Sequence, residues 1–195
     1  MNNAGILVTG HVWEHDPETR RAVFEVNTLG TINGTLAALE PMRAAGRGHV
    51  VNVVSLAGLI AAPGEGVYAA SKHAALAFSL STWLDLRRNG IDTIPISCLC
   101  PDGTWTPMLH DRLDDPEAAA SFSGKLLRPA EVATRFDALL DRPRPVAALP
   151  RWRGGLLRVL DALPRLAPHA VTPSLALGRL NQRRLKRRIA AGRWP

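Results

Sequence analysis

A chain of 195 residues is long enough for one domain with a buried core. With 46% hydrophobic and 21% charged residues it reads as a soluble globular protein; no run reaches the roughly 18 to 20 apolar residues of a membrane span, and no charged-then-apolar signal peptide opens it. The net charge of +7 is concentrated: residues 179–195 carry seven Arg/Lys and no acids, leaving 17 basic against 17 acidic residues elsewhere, so the pI of 10.6 describes a tail and not a basic, nucleic-acid-binding fold.

Residues 1–10 open abruptly on Asn2-Asn3-Ala4-Gly5. Asp16-Pro17-Glu18 then reads as a helix start, with a capping Asp, Pro in the first turn and an early acid. Val23, Val26, Leu29, Ile32, Leu36 and Leu39 recur at three and four, which predicts one helix to Ala45, stopped by Gly46. Asn27 sits in its middle, where Asn is a mediocre helix former. Residues 49–54 are β-branched and almost continuously apolar, the pattern of a strand buried on both faces. A Gly/Pro-rich stretch (Gly58, Pro63, Gly64, Gly66) leads to an alanine-rich helix over 67–88.

Residues 93–99 predict the next strand, with Pro95 awkward inside it because it lacks a ladder donor. Cys98 and Cys100, the only cysteines, share a strand face and read as buried reduced thiols; a C-x-C pair lacks the ligands of a structural metal site. Residues 101–108 form a loop and 109–128 a lid. Its His110, Asp111, Asp114, Asp115 and Glu117 are expected on a solvated face, and no metal site is expected. A helix over 129–140, a breaker at 141–145 and a short strand at 146–149 complete the α/β pattern. Residues 151–195 suggest a short amphipathic helix followed by a basic one. Two units are therefore expected, 1–150 and a basic helical extension 151–195.

One constellation carries chemistry. Tyr68 and Lys72 are four apart and share a helix face. Ser55 ends a predicted strand, where open α/β sheets place their reacting groups. A phenol has a pKa near 10, and a neighbouring ammonium favours its ionised form. Tyr68 so placed is a general acid or base for a carbonyl/alcohol pair, and the Ser55 hydroxyl can donate to the oxygen on which charge builds. The plain alternative is an exposed helix pair.

Ser55 followed by Tyr68-x-x-x-Lys72 resembles the short-chain dehydrogenase/reductase family, as do Asn2-Asn3-Ala4-Gly5, Val26-Asn27-Thr28-Leu29-Gly30 and Cys100-Pro101-Asp102-Gly103-Thr104-Trp105-Thr106-Pro107-Met108. The resemblance covers roughly residues 1–140. It implies the later part of a Rossmann-like, doubly wound parallel sheet and an NAD(P)-dependent oxidoreductase acting on a small alcohol or carbonyl compound. It implies that Tyr68 exchanges the substrate proton, Ser55 orients the substrate oxygen, Lys72 lowers the tyrosine pKa and binds the nicotinamide ribose, and Asn27 bends its helix and completes a proton relay. Asn3, Ala4 and Gly5 would line the cofactor, with Pro101 and Thr106 touching it; the family has Pro-Gly where this chain has Pro101-Asp102-Gly103.

In the family, Asn-Asn-Ala-Gly closes a fourth strand, after the glycine-rich turn that holds the pyrophosphate. No strand–glycine-rich turn–helix unit is read in this chain, so a truncated, non-catalytic fragment stands as the rival expectation, and NAD against NADP stays open. Self-association through the two long helices is implied by the resemblance. A cytoplasmic location is expected, with docking of residues 172–195 on an anionic membrane surface as a third possibility; no nucleic-acid partner is expected. An apolar lid (Leu109, Leu113, Phe122, Leu126, Leu127) favours a hydrophobic substrate.

Overall fold

The computed structural model describes residues 1–193. Residues 194 and 195, the end of the basic extension, lie outside the described residues. Three parallel strands, β1 (Val50–Val53), β2 (Ile96–Pro101) and β3 (Val146–Leu149), run in the order β1-β2-β3. Val50 pairs with Ile96, and Cys98 with Val146. Residues 1–5 run along the far edge of β1: the Asn2 amide donates to the Val51 carbonyl at 2.9 Å, and the Val53 amide donates to the Asn2 carbonyl at 2.8 Å. Parallel pairing requires crossover helices on the sheet faces, and α2 (Gly30–Ala45), α3 (Gly66–Arg88) and α5 (Pro129–Asp141) supply them.

Alternation along β2 explains why both faces are apolar. Cys98 and Cys100 pack with Val54, Leu56, Leu59 and Leu76 on one side; Leu99 packs with Val51, Leu139 and Ala147 on the other. Both thiols are free and buried, and burial pushes their pKa values up to about 11 and about 12. The strand starts at Ile96, not at residue 93. Pro95 therefore lies before the ladder, where its missing donor costs nothing and its carbonyl accepts from the Val50 amide.

The long helix expected to Ala45 is interrupted. α1 (Pro17–Phe24) starts on Asp16, whose carboxylate accepts from the Thr19 amide at 2.6 Å. It passes into a π-helical turn, Glu25–Leu29, before α2 begins. Asn27 and Thr28, in that turn, are buried against α3, which carries Ser71, Ala75 and Ser79 at four-residue spacing on its buried face. Small side chains there let the helices approach closely. A polar seam crosses the contact: Asn52 donates to Ser79 at 2.8 Å and to Thr35 at 3.2 Å, and Asn2 donates to Asn52 at 2.8 Å.

Between β2 and α5 lie the short α4 (Pro107–His110) and a 3-10 turn, Pro116–Ala120. Of the acids there, Asp111 and Asp114 are exposed, as the sequence suggests, while Asp115 and Glu117 are half-buried. Asp115 accepts from the Thr9 hydroxyl and the Glu117 amide, while Glu117 and Asp114 pair with Arg179 and Lys186. Among the described residues no group of three His, Cys, Asp or Glu is placed to hold a metal ion. After β3 come α6 (Arg151–Asp161) and α7 (Ala167–Ala190). α7 lies on the lid: a methyl group at Gly178 would collide with the Ala119 carbonyl, and Leu185 joins Leu109, Ala118 and Phe122 in a buried cluster. Asn181 donates to the Phe122 carbonyl at 3.0 Å and Gln182 to the Asp115 carbonyl at 2.7 Å. None of the described helices is long and apolar enough to cross a membrane.

Candidate active site

A cavity of about 660 Å³ opens at the carboxyl ends of β1 and β2. It is lined by Ser55 just past β1, by Tyr68 and Lys72 from α3, by Asn3, Ala4 and Gly5, and by Pro101 and Thr106 from the loop after β2. Eight residues singled out from the sequence thus share one space. Asn27 stands behind it.

Ser55 leaves β1 in an extended conformation and caps the next turn, its hydroxyl accepting from the Ala57 amide at 3.1 Å. The Tyr68 phenol lies beside it, close enough for the hydroxyl to favour the phenolate. Tyr68 is only 8% exposed. Burial raises its pKa to about 12, the Ser55 hydroxyl opposing and the nearby Glu65 charge adding to the rise. Lys72 donates to the Val53 carbonyl at 3.1 Å and lies 5.8 Å from the centre of the Tyr68 ring. Its own burial lowers its pKa to about 8.

The direction of the Tyr68 shift is set by burial of the phenol, which disfavours the phenolate. A motif shows that two groups are neighbours; it does not show how deeply both are buried.

Asn27 fastens the site from behind. Its carboxamide donates to the Ile6 carbonyl at 2.9 Å and to the Ser71 hydroxyl at 3.0 Å, and it accepts from the Ile6 amide at 2.8 Å. The π turn brings this side chain to the loop after Gly5 and to α3 together. A Cβ at Gly5 would stand 3.3 Å from Lys72 Nζ and 3.2 Å from Asn27 Oδ1, so glycine gives both groups their room. Lys72 has three donors, of which Val53 takes one, and the backbone beside it is bare. That donor set and cradle fit the ribose and nicotinamide portion of a dinucleotide. The Gly64-Glu65-Gly66 start of α3 does not suit a pyrophosphate: it carries a buried carboxyl, and Glu117 covers it.

Three charged residues near the site carry no local sequence signal. Glu65 is 2% exposed and accepts from the Ser121 amide at 3.1 Å; burial raises its pKa to about 7. Asp102, where the family has glycine, pairs with Arg153 of α6 at 3.1 Å, and Arg153 also donates to the Ser123 hydroxyl at 2.5 Å. Desolvation raises the Asp102 pKa while Arg153 opposes the rise. Of the five lid residues expected to favour a hydrophobic substrate, Leu109 alone lines the cavity. Leu113, Phe122 and Leu126 instead pack in the lid's own cluster with Leu109 and Leu185.

Fold and site define a Rossmann-like α/β chain with a Ser/Tyr/Lys set at its strand tips. The short chain dehydrogenase family model matches residues 1–117, more than half of the sequence, and the chain belongs to that family. It is 37% identical over 138 residues to cyclopentanol dehydrogenase of a Comamonas species, covering 68% of this chain and 54% of that protein. It is 30% identical over 191 residues to short-chain dehydrogenase srdC of Neurospora crassa, covering 87% of this chain and 67% of that one. A short chain dehydrogenase from Burkholderia cenocepacia, solved in complex with NADP, superposes with a TM-score of 0.68 at 26% identity, covering 87% of this chain and 67% of that one. The chain spans about half the length of the first curated relatives it matches.

Proposed function

We propose that this chain carries the catalytic part of an NAD(P)-dependent oxidoreductase that interconverts an alcohol and a ketone or aldehyde. The observation that carries the proposal is the shared cavity: a buried phenol beside a serine hydroxyl, with an ammonium and a bare glycine backbone at the same wall. Relatives named as alcohol dehydrogenases and a neighbour solved with NADP support it.

A bound nicotinamide dinucleotide supplies or accepts the hydride. Lys72 and the Asn3–Gly5 backbone hold its ribose end, with Pro101 and Thr106 on the other wall. Tyr68 gives its phenolic proton to the substrate oxygen during reduction and removes it during oxidation. Ser55 donates a second hydrogen bond to that oxygen and steadies the charge that develops there. The high pKa of Tyr68 keeps the phenol protonated at neutral pH, the form that reduction needs. Lys72 stabilises the phenolate left behind. Asn27 is a positioning residue, holding Ile6 and Ser71, which bracket Gly5 and Lys72.

The cavity walls Met108, Leu109, Val132 and Phe136 suit a compact apolar substrate such as a cyclic ketone. Self-association through the outer faces of α2 and α3, where Leu36 and Leu84 are exposed, belongs to the same reading. Titration of the chain with NADH and with NADPH, followed by nucleotide fluorescence, tests it. Saturable binding that weakens at least tenfold in Lys72→Met is expected. Failure of both nucleotides to bind overturns it.

A further inference from the structure

Helix α6 is apolar on the side that faces away from the protein. Trp152, Leu156 and Val159, with Leu163 just beyond the helix, follow at intervals of four, three and four, so they form a single stripe. Their exposures are 70%, 49%, 58% and 47%. The opposite side is occupied: Gly154 is buried, Leu157 packs on the core cluster at β2, and Arg153 pairs with Asp102. α6 is thus apolar both inward and outward, and a solvated helix has no use for the second stripe.

The surroundings of the stripe say what covers it. Residues 151–195 hold eleven of the chain's 24 Lys/Arg and one of its 17 Asp/Glu, Asp161. Arg151 and Arg158 are exposed on the flank of α6 that leads to the buried Gly154, Arg165 is exposed just past the helix, and Arg183, Arg184 and Arg187 are exposed on α7. Two copies meeting stripe to stripe would press these arginines together with one acid each to offset them. An anionic surface accepts them all.

We propose that α6 docks the protein on an anionic lipid bilayer, lying in the plane of the interface with Trp152, Leu156, Val159 and Leu163 dipping among the acyl chains and the arginines at the headgroups. The sequence alone points to residues 172–195 for such a role. The structure moves the apolar part to α6, because α7 commits Gly178, Gln182 and Leu185 to the lid. The rest of α7 contributes charge, together with the exposed Leu177, Leu180 and Ile189.

The test is co-sedimentation of the full chain with vesicles of phosphatidylcholine alone and with about a third phosphatidylglycerol. Binding to the anionic vesicles is expected to be at least tenfold tighter and to weaken in high salt. The double variant Leu156→Ser/Val159→Ser keeps the charge, changes exposed positions only, and is checked for folding by circular dichroism. It is expected to lose about tenfold or more of the binding. Three results overturn the proposal: equal partition onto neutral and anionic vesicles, unchanged binding by the double variant, or light scattering that shows the variant converting a dimer of the wild-type chain to monomer. None of these depends on nucleotide binding or turnover, so this outcome and that of the oxidoreductase reading are separable.

Discussion

Lys72 Nζ donates to the Val53 carbonyl at 3.1 Å while standing 5.8 Å from the centre of the Tyr68 ring. Both partners belong to the site, and the ammonium is held there against the cost of burial. Its pKa falls from 10.5 to about 8, a shift equivalent to roughly 3 kcal/mol at about 1.4 kcal/mol per unit. Between those two values the unfolded chain binds more protons than the folded one, so stability rises with pH there. Lys72→Met removes the cost. It is expected to stabilise the fold at pH 7 by about 2 kcal/mol while lowering turnover about 100-fold or more. Urea midpoints at pH 7 and pH 10.5 check this; the gain is expected to vanish at the higher pH.

The same titration shapes the rate. Tyr68 remains a phenol up to about pH 12, so the proton for carbonyl reduction is present throughout the ordinary range. Lys72 loses its charge as pH rises through about 8, and with it the partner for the developing phenolate. Reduction is expected to be level below that pH and to fall above it with the loss of one proton. Lys72→Arg, whose guanidinium stays charged, is expected to carry the fall to higher pH. A wild-type profile flat to pH 10 contradicts the assignment.

Glu65 tests burial in the opposite sense. Its pKa is raised from 4.5 to about 7, so the folded chain binds more protons in that window. Its contribution to stability is complete below pH 4.5 and is lost as pH rises through 7. Glu65→Gln retains an acceptor for the Ser121 amide without the charge. It is expected to stabilise by about 2 kcal/mol at pH 8 and to change little at pH 4.5, read as urea midpoints at the two pH values. An equal gain at both contradicts the titration.

Asp102 and Arg153 join the loop after β2 to α6 through side chains that are 6% and 14% exposed. Removing one partner of such a pair leaves a buried charge uncompensated, so Asp102→Ala is expected to cost about 3 kcal/mol. Asp102→Leu with Arg153→Met removes both charges and is expected to cost less than either single change. A thermodynamic cycle of the four proteins measures the coupling.

What the sequence shows and what it hides divide along physical lines. Periodicity over 67–88 and 129–140 places α3 (Gly66–Arg88) and α5 (Pro129–Asp141) to within a residue or so, because a buried helix face repeats locally. The strand at 146–149 is found with the same bounds as β3. The tyrosine, lysine and serine are legible because their spacing is fixed by one helix and one strand tip. The π turn at Glu25–Leu29 leaves no periodic mark, since one slipped turn hardly disturbs the apolar spacing. Glu65, Asp102 and Arg153 read as surface charge because acids and arginines are usually exposed; their partners lie 56 and 51 positions away and give no local sign. The docking of α7 rests on Asn181 and Gln182 reaching lid carbonyls, a feature of tertiary position alone.

The phenolic proton of Tyr68 is the centre of the account, and Tyr68→Phe removes it while leaving the ring in its buried place. Steady-state reduction of a cyclic ketone such as cyclopentanone, followed by loss of NADH or NADPH absorbance, compares the two proteins directly. The account predicts a turnover about 1,000-fold lower in the variant, with nucleotide affinity unchanged to within a factor of about two. Turnover by Tyr68→Phe equal to that of the wild-type chain would contradict it.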